Sequence, residues 1–232
     1  MITLFIPVYN EEKIIKKNIL KLQNYLKKRN ITCEIFIGNN GSTDNTLNII
    51  ESLKIKCPKT IHFLSINHRG PGKVFRLMCK QHSFDKVITV DIDLSADLDF
   101  IPCAADLLDQ GYDIVIGYKK QDIEERKWYR KILSSINILL VRVLLGLPYN
   151  DYSIGAKAFT YQFLKGKHSF IDDQTFFVTK LIYFAKNTKS KITEIPIKCR
   201  DKRKSKFNLV YECYYKTLNI FKVFMSRFLK IT

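Results

Sequence analysis

Apolar and polar residues alternate in blocks along the first half of the chain, and the blocks predict strands and helices in turn. Apolar residues recur at 14/15, 19, 22 and 25/26, which is the period of a helix. Similar helical stretches follow the next two strands. The short apolar runs that predict strands cover 3–8, 34–38, 60–66 and 86–91. This alternation predicts an α/β fold with a mostly parallel sheet and helices on both faces.

The pattern changes after a fifth predicted strand at 113–117. The later elements predicted are helices over 128–147 and 172–186, an irregular stretch over 151–159, a strand over 192–199 and an amphipathic helix from about 209. Pro196 lies inside the last strand, and because proline cannot donate a ladder hydrogen bond, this strand is expected at an edge of the sheet. No linker or repeat divides the chain, which predicts a single domain over 1–232.

Polar residues follow three of the predicted strands at their carboxyl ends. They are Tyr9-Asn10-Glu11, Asn39 to Ser42, and Asp91 with Asp93. Ligands of parallel α/β sheets bind beyond these strand ends, so three loops are expected to converge on one site. Asp91 and Asp93 are separated by one apolar residue, and two such acids can hold a divalent ion against a diphosphate. Their oxygen ligands suit Mg²⁺ or Mn²⁺, although an Asp-x-Asp pair is also common in solvated loops.

Composition limits the partners and the compartment. Lysine and arginine outnumber the acids by 39 to 22, a net charge of +17, which favours nucleotides, nucleic acid or an anionic membrane surface unless it reflects only a solvated lysine-rich surface. No nucleic-acid-binding motif is present, so no nucleic-acid partner is expected. The six cysteines have no metal-ligand spacing and are expected to be reduced thiols of a cytoplasmic protein. No signal peptide is expected before Ile2, and no apolar run reaches the roughly 18 residues of a membrane-spanning helix.

Four short motifs stand in order over residues 3 to 98. They are Ile6-Pro7-Val8-Tyr9-Asn10-Glu11, Asn40-Gly41-Ser42-Thr43-Asp44-Asn45-Thr46, Arg69-Gly70-Pro71-Gly72-Lys73 and Asp91-Ile92-Asp93-Leu94. Together they resemble the family 2 glycosyltransferases, which have the GT-A fold. In the second half, 151–159, 194–197 and 201–206 resemble the motifs of polyprenyl- or dolichyl-phosphate hexose synthases.

The resemblance implies an inverting transfer of a hexose, from GDP-mannose or UDP-glucose, to a polyprenyl or dolichyl phosphate. It implies a nucleotide-sugar-binding half over 1–117 and an acceptor-side half over 118–232. Asp91 and Asp93 would be the catalytic and metal-binding residues, with Mg²⁺ or Mn²⁺ as cofactor. The implied nucleotide-sugar contacts are Pro7, Tyr9, Glu11, Ile37, Asn39, Asp91, Ile92, Asp93, Lys119, Arg203 and Lys206. The implied contacts with the acceptor phosphate are Arg130, Ser153 and Lys157.

Several departures from the family pattern leave alternatives open. Asn39 and Asn40 stand where paired acids are usual, so the donor base is open, and both are alternatively turn residues. Phe177-Val178-Thr179-Lys180 replaces Phe-Asp-x-Glu, which would remodel the sugar pocket or leave a catalytically impaired nucleotide-sugar binder. A transferase with a hydroxyl acceptor is the other alternative, and it needs a carboxylate base. The candidates for that base are Asp151, Asp172 and Asp173.

The last predicted helix has an apolar stripe at 210, 214, 217/218, 221, 224/225 and 228, with lysines and arginines between these positions. Such a stripe either packs in the core or lies as a basic amphipathic surface on a membrane, together with 128–147. A lipid-linked acceptor favours the second interpretation. We therefore expect a cytoplasmic protein that is peripheral on the cytoplasmic face of a membrane.

Overall fold

The computed structural model describes residues 1–119, 128–199 and 209–229, with side chains throughout except at 128–131, 209 and 227–229. The strands are β1 (Ile2–Val8), β2 (Cys33–Asn40), β3 (Ile61–Ile66), β4 (Lys86–Thr89), β5 (Ile114–Lys119), β6 (Lys157–Thr160) and β7 (Ile192–Ile197). The helices are α1 (Ile15–Lys28), α2 (Thr46–Lys56), α3 (Pro71–Gln81), α4 (Phe100–Asp109), α5 (Trp128–Leu145), α6 (Tyr161–Leu164), α7 (Phe177–Asn187) and α8 (Leu209–Leu229).

The strands form one seven-stranded sheet in the order β3-β2-β1-β4-β6-β5-β7. Every neighbouring pair is parallel except those of β6, which runs antiparallel to both β4 and β5. The predicted mostly parallel sheet is therefore confirmed. Pro196 lies on β7, the edge strand, opposite Tyr118, so the expected edge position of this strand is confirmed as well.

Two hydrophobic layers cover the two faces of the sheet. The side chains of β1 alternate between them: Leu4 and Ile6 pack with α1, α2 and α4, whereas Phe5 packs with α3 and α7 on the other face. This two-sided burial explains why the strands read as nearly continuous apolar runs. Helices on both faces are thus confirmed.

Two predictions for the second half were wrong in detail. The stretch 151–159 was expected to be irregular, but β6 begins inside it at Lys157 and inserts between β4 and β5. A four-residue strand buried on both faces has too little alternation to be recognised. The helix expected from 172 begins at Phe177, because Asp172 Oδ1 accepts the Gln174 amide (2.9 Å) and holds a local turn.

Among the helices that the structure describes, none combines the length and the apolar character needed to cross a bilayer.

Candidate active site

The loops that follow β1 and β2 are joined by hydrogen bonds into one surface. Asn10 has a left-handed backbone (φ 54°), a conformation that asparagine tolerates, and its amide donates to Ser42 Oγ at 3.0 Å. Thr43 donates its backbone N–H to Asn10 Oδ1 at 2.7 Å. The Glu11 amide donates to Thr46 Oγ1 at 2.8 Å, at the start of α2. The two loops therefore hold each other in place at the carboxyl end of the sheet.

The loop after β3 reaches the same rim. The guanidinium of Arg69 lies over the ring of Tyr9, 4.4 Å from its centroid, a cation–π arrangement. The Gly70 amide donates to Asn40 Oδ1 in the second loop. Tyr9 and Glu11 are both half-buried at this rim. The loops after β1, β2 and β3 are thus joined at the carboxyl end of the sheet, and the predicted loop of Asp91 and Asp93 follows β4, which runs parallel to β1.

The two acids of the Asp-x-Asp motif stand on a tight turn just beyond β4. The Leu94 amide donates to the Asp91 carbonyl (2.9 Å), and Leu94 has a φ of 51°, which is uncommon for a non-glycine residue. The Ser95 amide donates to Asp93 Oδ1 at 2.9 Å. Ile92, between the acids, is buried in the core, whereas both acids are half-buried. The buried isoleucine therefore anchors the turn that presents the two carboxyl groups.

A segment from the second half of the chain, residues 151–157, forms the back wall of this turn. Gly155 donates its amide to Asp91 Oδ2 at 3.3 Å, and a Cβ at Gly155 would come within 2.2 Å of Asp91 Oδ1. Thr89 on β4 donates its hydroxyl to the Gly155 carbonyl and accepts the Lys157 amide at 3.0 Å. Asp151 Oδ1 accepts the amides of Ser153 (2.7 Å) and Ile154 (2.9 Å), which shapes the wall locally. The back wall thereby fixes the Asp91 carboxylate.

Lys157 lies inside the back wall and not on the rim. Its side chain is 1% exposed, and its Nζ donates to the carbonyls of Ile154 (2.9 Å), Gly117 (3.3 Å) and Ala156 (3.4 Å). Burial lowers the pKa of the Lys157 ammonium to about 8, against the opposing charges of Asp151 and Asp91. The implied contact between Lys157 and an acceptor phosphate is therefore corrected, because its donors already serve three backbone carbonyls away from solvent.

We expect Lys157→Met to lower the free energy of unfolding by about 2 kcal/mol, because the three carbonyls lose a buried donor. Chemical denaturation measures this change. The matched control is Lys165→Met, which alters an exposed lysine and should leave the denaturation midpoint unchanged. A Lys157→Met protein as stable as the wild type would contradict the structural role given to this ammonium.

Burial raises the pKa of the Asp91 carboxyl to about 6, and the neighbouring charge of Asp93 adds to this rise. The Gly155 amide and the positive charges of Lys157 and Lys119 act in the opposite direction. Asp91 is therefore protonated below about pH 6, where an ordinary aspartate is still charged. A bound cation competes with that proton, since only the carboxylate binds metal.

We expect Mn²⁺ affinity, and with it any Mn²⁺-dependent activity, to fall as the pH is lowered through about 6. The fall follows from the raised pKa of Asp91. Near pH 6 a proton still competes with Mn²⁺ for this carboxylate, whereas most aspartates have already lost their proton. Activity measured against pH at limiting and at saturating Mn²⁺ tests this, and saturation should move the acidic limb to lower pH. Identical acidic limbs at both Mn²⁺ concentrations would contradict the prediction.

The donor set fits a divalent cation that is shared with a ligand. Among the described residues, no group of three or more His, Cys, Asp or Glu side chains is arranged to hold a metal ion by itself. Asp91 and Asp93 would supply two hard oxygen ligands, and their mutual repulsion would be relieved by a cation. Mg²⁺ and Mn²⁺ commonly bind one or two carboxylates and complete their coordination with substrate phosphates. The two acids therefore suit an ion held jointly with a diphosphate.

Other predicted site residues lie at different depths. Pro7 is half-buried near the end of β1, and Lys119 ends β5 close enough for its charge to act on Asp91. Ser153 is exposed, and its Oγ accepts a hydrogen bond from Lys216 Nζ at 3.1 Å. The backbone carbonyl of Ile92 accepts a hydrogen bond from the side-chain amide of Asn18 at 2.8 Å.

Two of the implied nucleotide contacts are inside the protein. Ile37 is fully buried in the core, so its side chain is not available to a nucleotide. Asn39 is also buried on β2; its Nδ2 donates to Ser65 Oγ (2.8 Å) and its Oδ1 accepts the Ser42 amide (3.3 Å). Both side chains are therefore buried, and the implied nucleotide contacts at these two positions stay predictions. Arg203, Lys206 and the side chain of Arg130 lie outside the described part of the chain.

Sequence reasoning gave no site role to Gly155 or Lys216. Gly155 stood within the motif 151–159, but its contact with Asp91 spans 64 positions. Lys216 stood among the basic residues of the last helix, and its contact with Ser153 spans 63 positions. Neither contact has a local signal in the sequence.

The model of the Glycosyl transferase family 2 matches residues 3–186, which is most of the chain. The chain therefore belongs to this family, and it is a glycosyltransferase by family.

Its curated relatives include lipid-phosphate sugar transferases. The chain is 27% identical over 217 residues to an undecaprenyl-phosphate 4-deoxy-4-formamido-L-arabinose transferase of Edwardsiella ictaluri, covering 90% of this chain and 63% of the relative. It is 26% identical over 191 residues to the enzyme of the same name from Pseudomonas syringae, covering 81% of this chain and 55% of the relative. The chain thus spans about 55–63% of the length of these relatives.

Solved structures share the fold at low sequence identity. Glucosyl-3-phosphoglycerate synthase from Mycobacterium tuberculosis, in complex with Mn²⁺, UDP and phosphoglyceric acid, matches with a TM-score of 0.67 and 15% identity over 98% of this chain and 78% of that one. The UDP complex of that enzyme matches with a TM-score of 0.68 and 17% identity, over 95% and 79% of the two chains. The GT-A type of α/β fold expected from the motifs is confirmed.

Proposed function

We propose that this protein transfers a hexose from a nucleotide sugar, GDP-mannose or UDP-glucose, to a polyprenyl or dolichyl phosphate, with inversion at the sugar carbon. The observation that carries the proposal is the Asp91–Asp93 turn, held by the back wall at the rim where three loops converge. The lipid-phosphate transferases among the relatives support this acceptor class.

The donor would lie along the rim. Tyr9 and Glu11 are half-buried beside the second loop and are proposed to contact the nucleoside, together with Pro7, which is half-buried near the end of β1. Asp93 and Asp91 would hold Mg²⁺ or Mn²⁺, which supplies a Lewis acid for the leaving diphosphate. Lys119 adds a positive charge near Asp91, where negative charge develops as the sugar–phosphate bond breaks. The expected phosphate contacts of Arg203 and Lys206 stay part of the proposal.

A phosphate acceptor suits this site because it needs no general base. A phosphate monoester has a second pKa of about 6 and is largely dianionic at neutral pH. A hydroxyl acceptor would instead need a carboxylate to take its proton. The acceptor phosphate is proposed to contact Ser153, and Arg130 stays a second proposed contact.

The three carboxylates considered for a base are engaged in structural contacts. Asp151 is buried and accepts two amides of the back wall. Asp172 Oδ1 accepts the Tyr215 hydroxyl at 2.8 Å, and Asp173 Oδ1 pairs with the Arg76 guanidinium at 2.6 Å. These contacts favour the phosphate acceptor over a hydroxyl acceptor.

The departure at 177–180 has a structural counterpart. Lys180 Nζ lies 3.5 Å from Asp172 Oδ2, so the reversed charge has a partner. Val178 is half-buried and packs against the hydrophobic layer that contains Phe177. The pairing of Lys180 supports an intact site with a changed sugar pocket over an impaired one.

Incubation with GDP-mannose or UDP-glucose, Mn²⁺ and a polyprenyl phosphate tests the proposal. We expect a lipid-linked sugar, no product after EDTA treatment, and no product with the polyprenyl alcohol. Product on the alcohol would favour the hydroxyl-acceptor alternative. Donor binding by calorimetry without turnover on any acceptor would contradict the proposal in favour of a nucleotide-sugar binder.

The lipid acceptor also leads us to propose a peripheral protein of the cytoplasmic membrane face.

A further inference from the structure

Large apolar side chains exposed to solvent are concentrated on two helices. Of the fifteen in the described part of the chain, ten lie on α5 and α8, which pack against each other. These ten are Ile132, Ile136, Leu139, Val143, Val210, Tyr211, Tyr214, Leu218, Phe221 and Met225. Single exposed apolar residues are ordinary on protein surfaces, but a cluster of this size marks an interaction surface.

On α5, four aliphatic side chains form one exposed stripe. Ile132, Ile136, Leu139 and Val143 are spaced by four, three and four residues and therefore share one face of the helix. Residues on another face, such as Val141, are fully buried in the core. The fully buried core contacts of α5 are thus made by other residues, and the side chains of this stripe are 48–70% exposed.

The exposed stripe on α8 follows the same spacing. Val210, Tyr214, Leu218, Phe221 and Met225 recur every three or four residues, while Ile220 between them is fully buried. The stripe contains Tyr214, and tyrosine is one of the residues enriched where protein meets lipid headgroups. α8 therefore has one apolar face toward the core and a second that is exposed.

The charges around the stripes favour an anionic partner. Among the described side chains of α5 and α8, the exposed charged ones are Arg142 and Lys222, both basic. The acid in this set, Glu212, is half-buried and accepts the Thr175 hydroxyl at 2.9 Å. The chain has a net charge of +17. Exposed apolar stripes with basic residues beside them are the pattern of helices that lie in the plane of an anionic interface.

We infer that the exposed stripes of α5 and α8 form a docking surface for an anionic lipid bilayer. This inference deepens the proposed function by naming the surface that would bring the enzyme to its lipid acceptor. The biological purpose of the docking surface rests on that proposed function. Binding combines burial of the stripes in the headgroup region with attraction of the basic residues to anionic lipids. A second copy of the chain would not use the positive charges in this way, since like charges would face each other.

The docking surface is connected to the active site through α8. Lys216 Nζ donates to Ser153 Oγ at 3.1 Å, and Ser153 lies two residues before Gly155 in the back wall. Tyr215 donates its hydroxyl to Asp172 Oδ1 at 2.8 Å. The helix that contacts the bilayer thus also contacts the acceptor side of the site, where a lipid phosphate at headgroup level would arrive.

Flotation with phosphatidylcholine vesicles, with and without about one third phosphatidylglycerol, tests the inference. The test variant Leu139→Glu/Phe221→Glu changes side chains that are 59% and 47% exposed. The matched control Leu20→Glu/Ile55→Glu changes exposed apolar residues of α1 and α2. We expect wild type and control to float with the anionic vesicles, and the test variant to bind at least tenfold more weakly, since two side chains lose their burial. Binding should weaken without phosphatidylglycerol and at high salt.

Several results would overturn the inference. The first is that the wild-type protein floats with neither kind of vesicle. The second is that the test variant floats like the wild type. The third is that light scattering shows a dimer of the wild type that the test variant does not form. Thermal melting checks that the test variant is folded, and Val143→Glu, at a 70% exposed position, replaces it if it is not. A water-soluble short-chain polyprenyl phosphate separates the proposed transfer from the proposed docking surface, because it can be tested as an acceptor without vesicles. Vesicle binding without transfer to any acceptor would refute the proposed function and leave the docking surface standing.

Discussion

Asp93→Ala is expected to remove sugar transfer almost completely, lowering kcat/KM by roughly 10³-fold, because the proposed site would lose a metal ligand and with it several kcal/mol of transition-state stabilisation. Asp93 stands half-buried on the turn beyond β4, and its Oδ1 accepts the Ser95 amide. Asp93 and Asp91 together form the pair of carboxylates at the rim. Steady-state kinetics over a range of Mn²⁺ concentrations measure the loss, which excess Mn²⁺ should only partly restore.

The matched control for this experiment is Asp97→Ala. Asp97 lies four residues later in the same segment, is exposed, and accepts the Asp99 amide at 3.1 Å. We expect its kinetics to stay within about twofold of the wild type, since surface changes away from the reacting atoms have small effects. Equal activity of Asp93→Ala and Asp97→Ala would refute the role of the acid turn.

Gly155→Ala is expected to weaken Mn²⁺ binding by roughly 10- to 100-fold, which is typical when a group that orients a metal ligand is disturbed. The added Cβ would stand 2.2 Å from Asp91 Oδ1 and 2.5 Å from Oδ2, closer than any real contact, so the carboxylate must move. The backbone at Gly155 does not have a positive φ. The effect therefore comes from the collision and not from backbone strain.

Gly111→Ala separates that collision from a general loss of stability. A Cβ at Gly111 would meet nothing within 4 Å, but its φ of 91° makes alanine strained there. We expect this control to melt at a lower temperature than the wild type and to bind Mn²⁺ normally. Calorimetric titration of both variants with Mn²⁺ and UDP decides the question, and unchanged Mn²⁺ binding by Gly155→Ala would show that the back wall does not position Asp91.

The features that sequence reasoning predicted well are those set by local pattern. The alternation of strands and helices, the polar loops at the strand ends and the edge position of Pro196 follow from spacing and from the chemistry of single residues. The position of Asp91 and Asp93 just beyond β4 follows for the same reason, because they directly follow an apolar run. These features depend on neighbours in the chain.

The features that sequence reasoning missed depend on contacts between distant segments. The short strand β6 is buried because it inserts between β4 and β5, which no local period indicates. Lys157 looked like a surface lysine of an acceptor loop, but the fold directs its ammonium to three backbone carbonyls. For Asn39 the sequence predicts a nucleotide contact or, alternatively, a turn residue, but β2 extends through it and its side-chain amide donates to Ser65 Oγ. In each case the tertiary partner decides the role.

A crystal structure with Mn²⁺ and a non-hydrolysable nucleotide sugar tests the central claim most directly. We predict an anomalous Mn²⁺ peak within about 2.5 Å of a carboxylate oxygen of Asp93 or Asp91 and of an oxygen of the diphosphate. A bound nucleotide sugar whose diphosphate lies away from the acid turn, with no ion between them, would contradict the account.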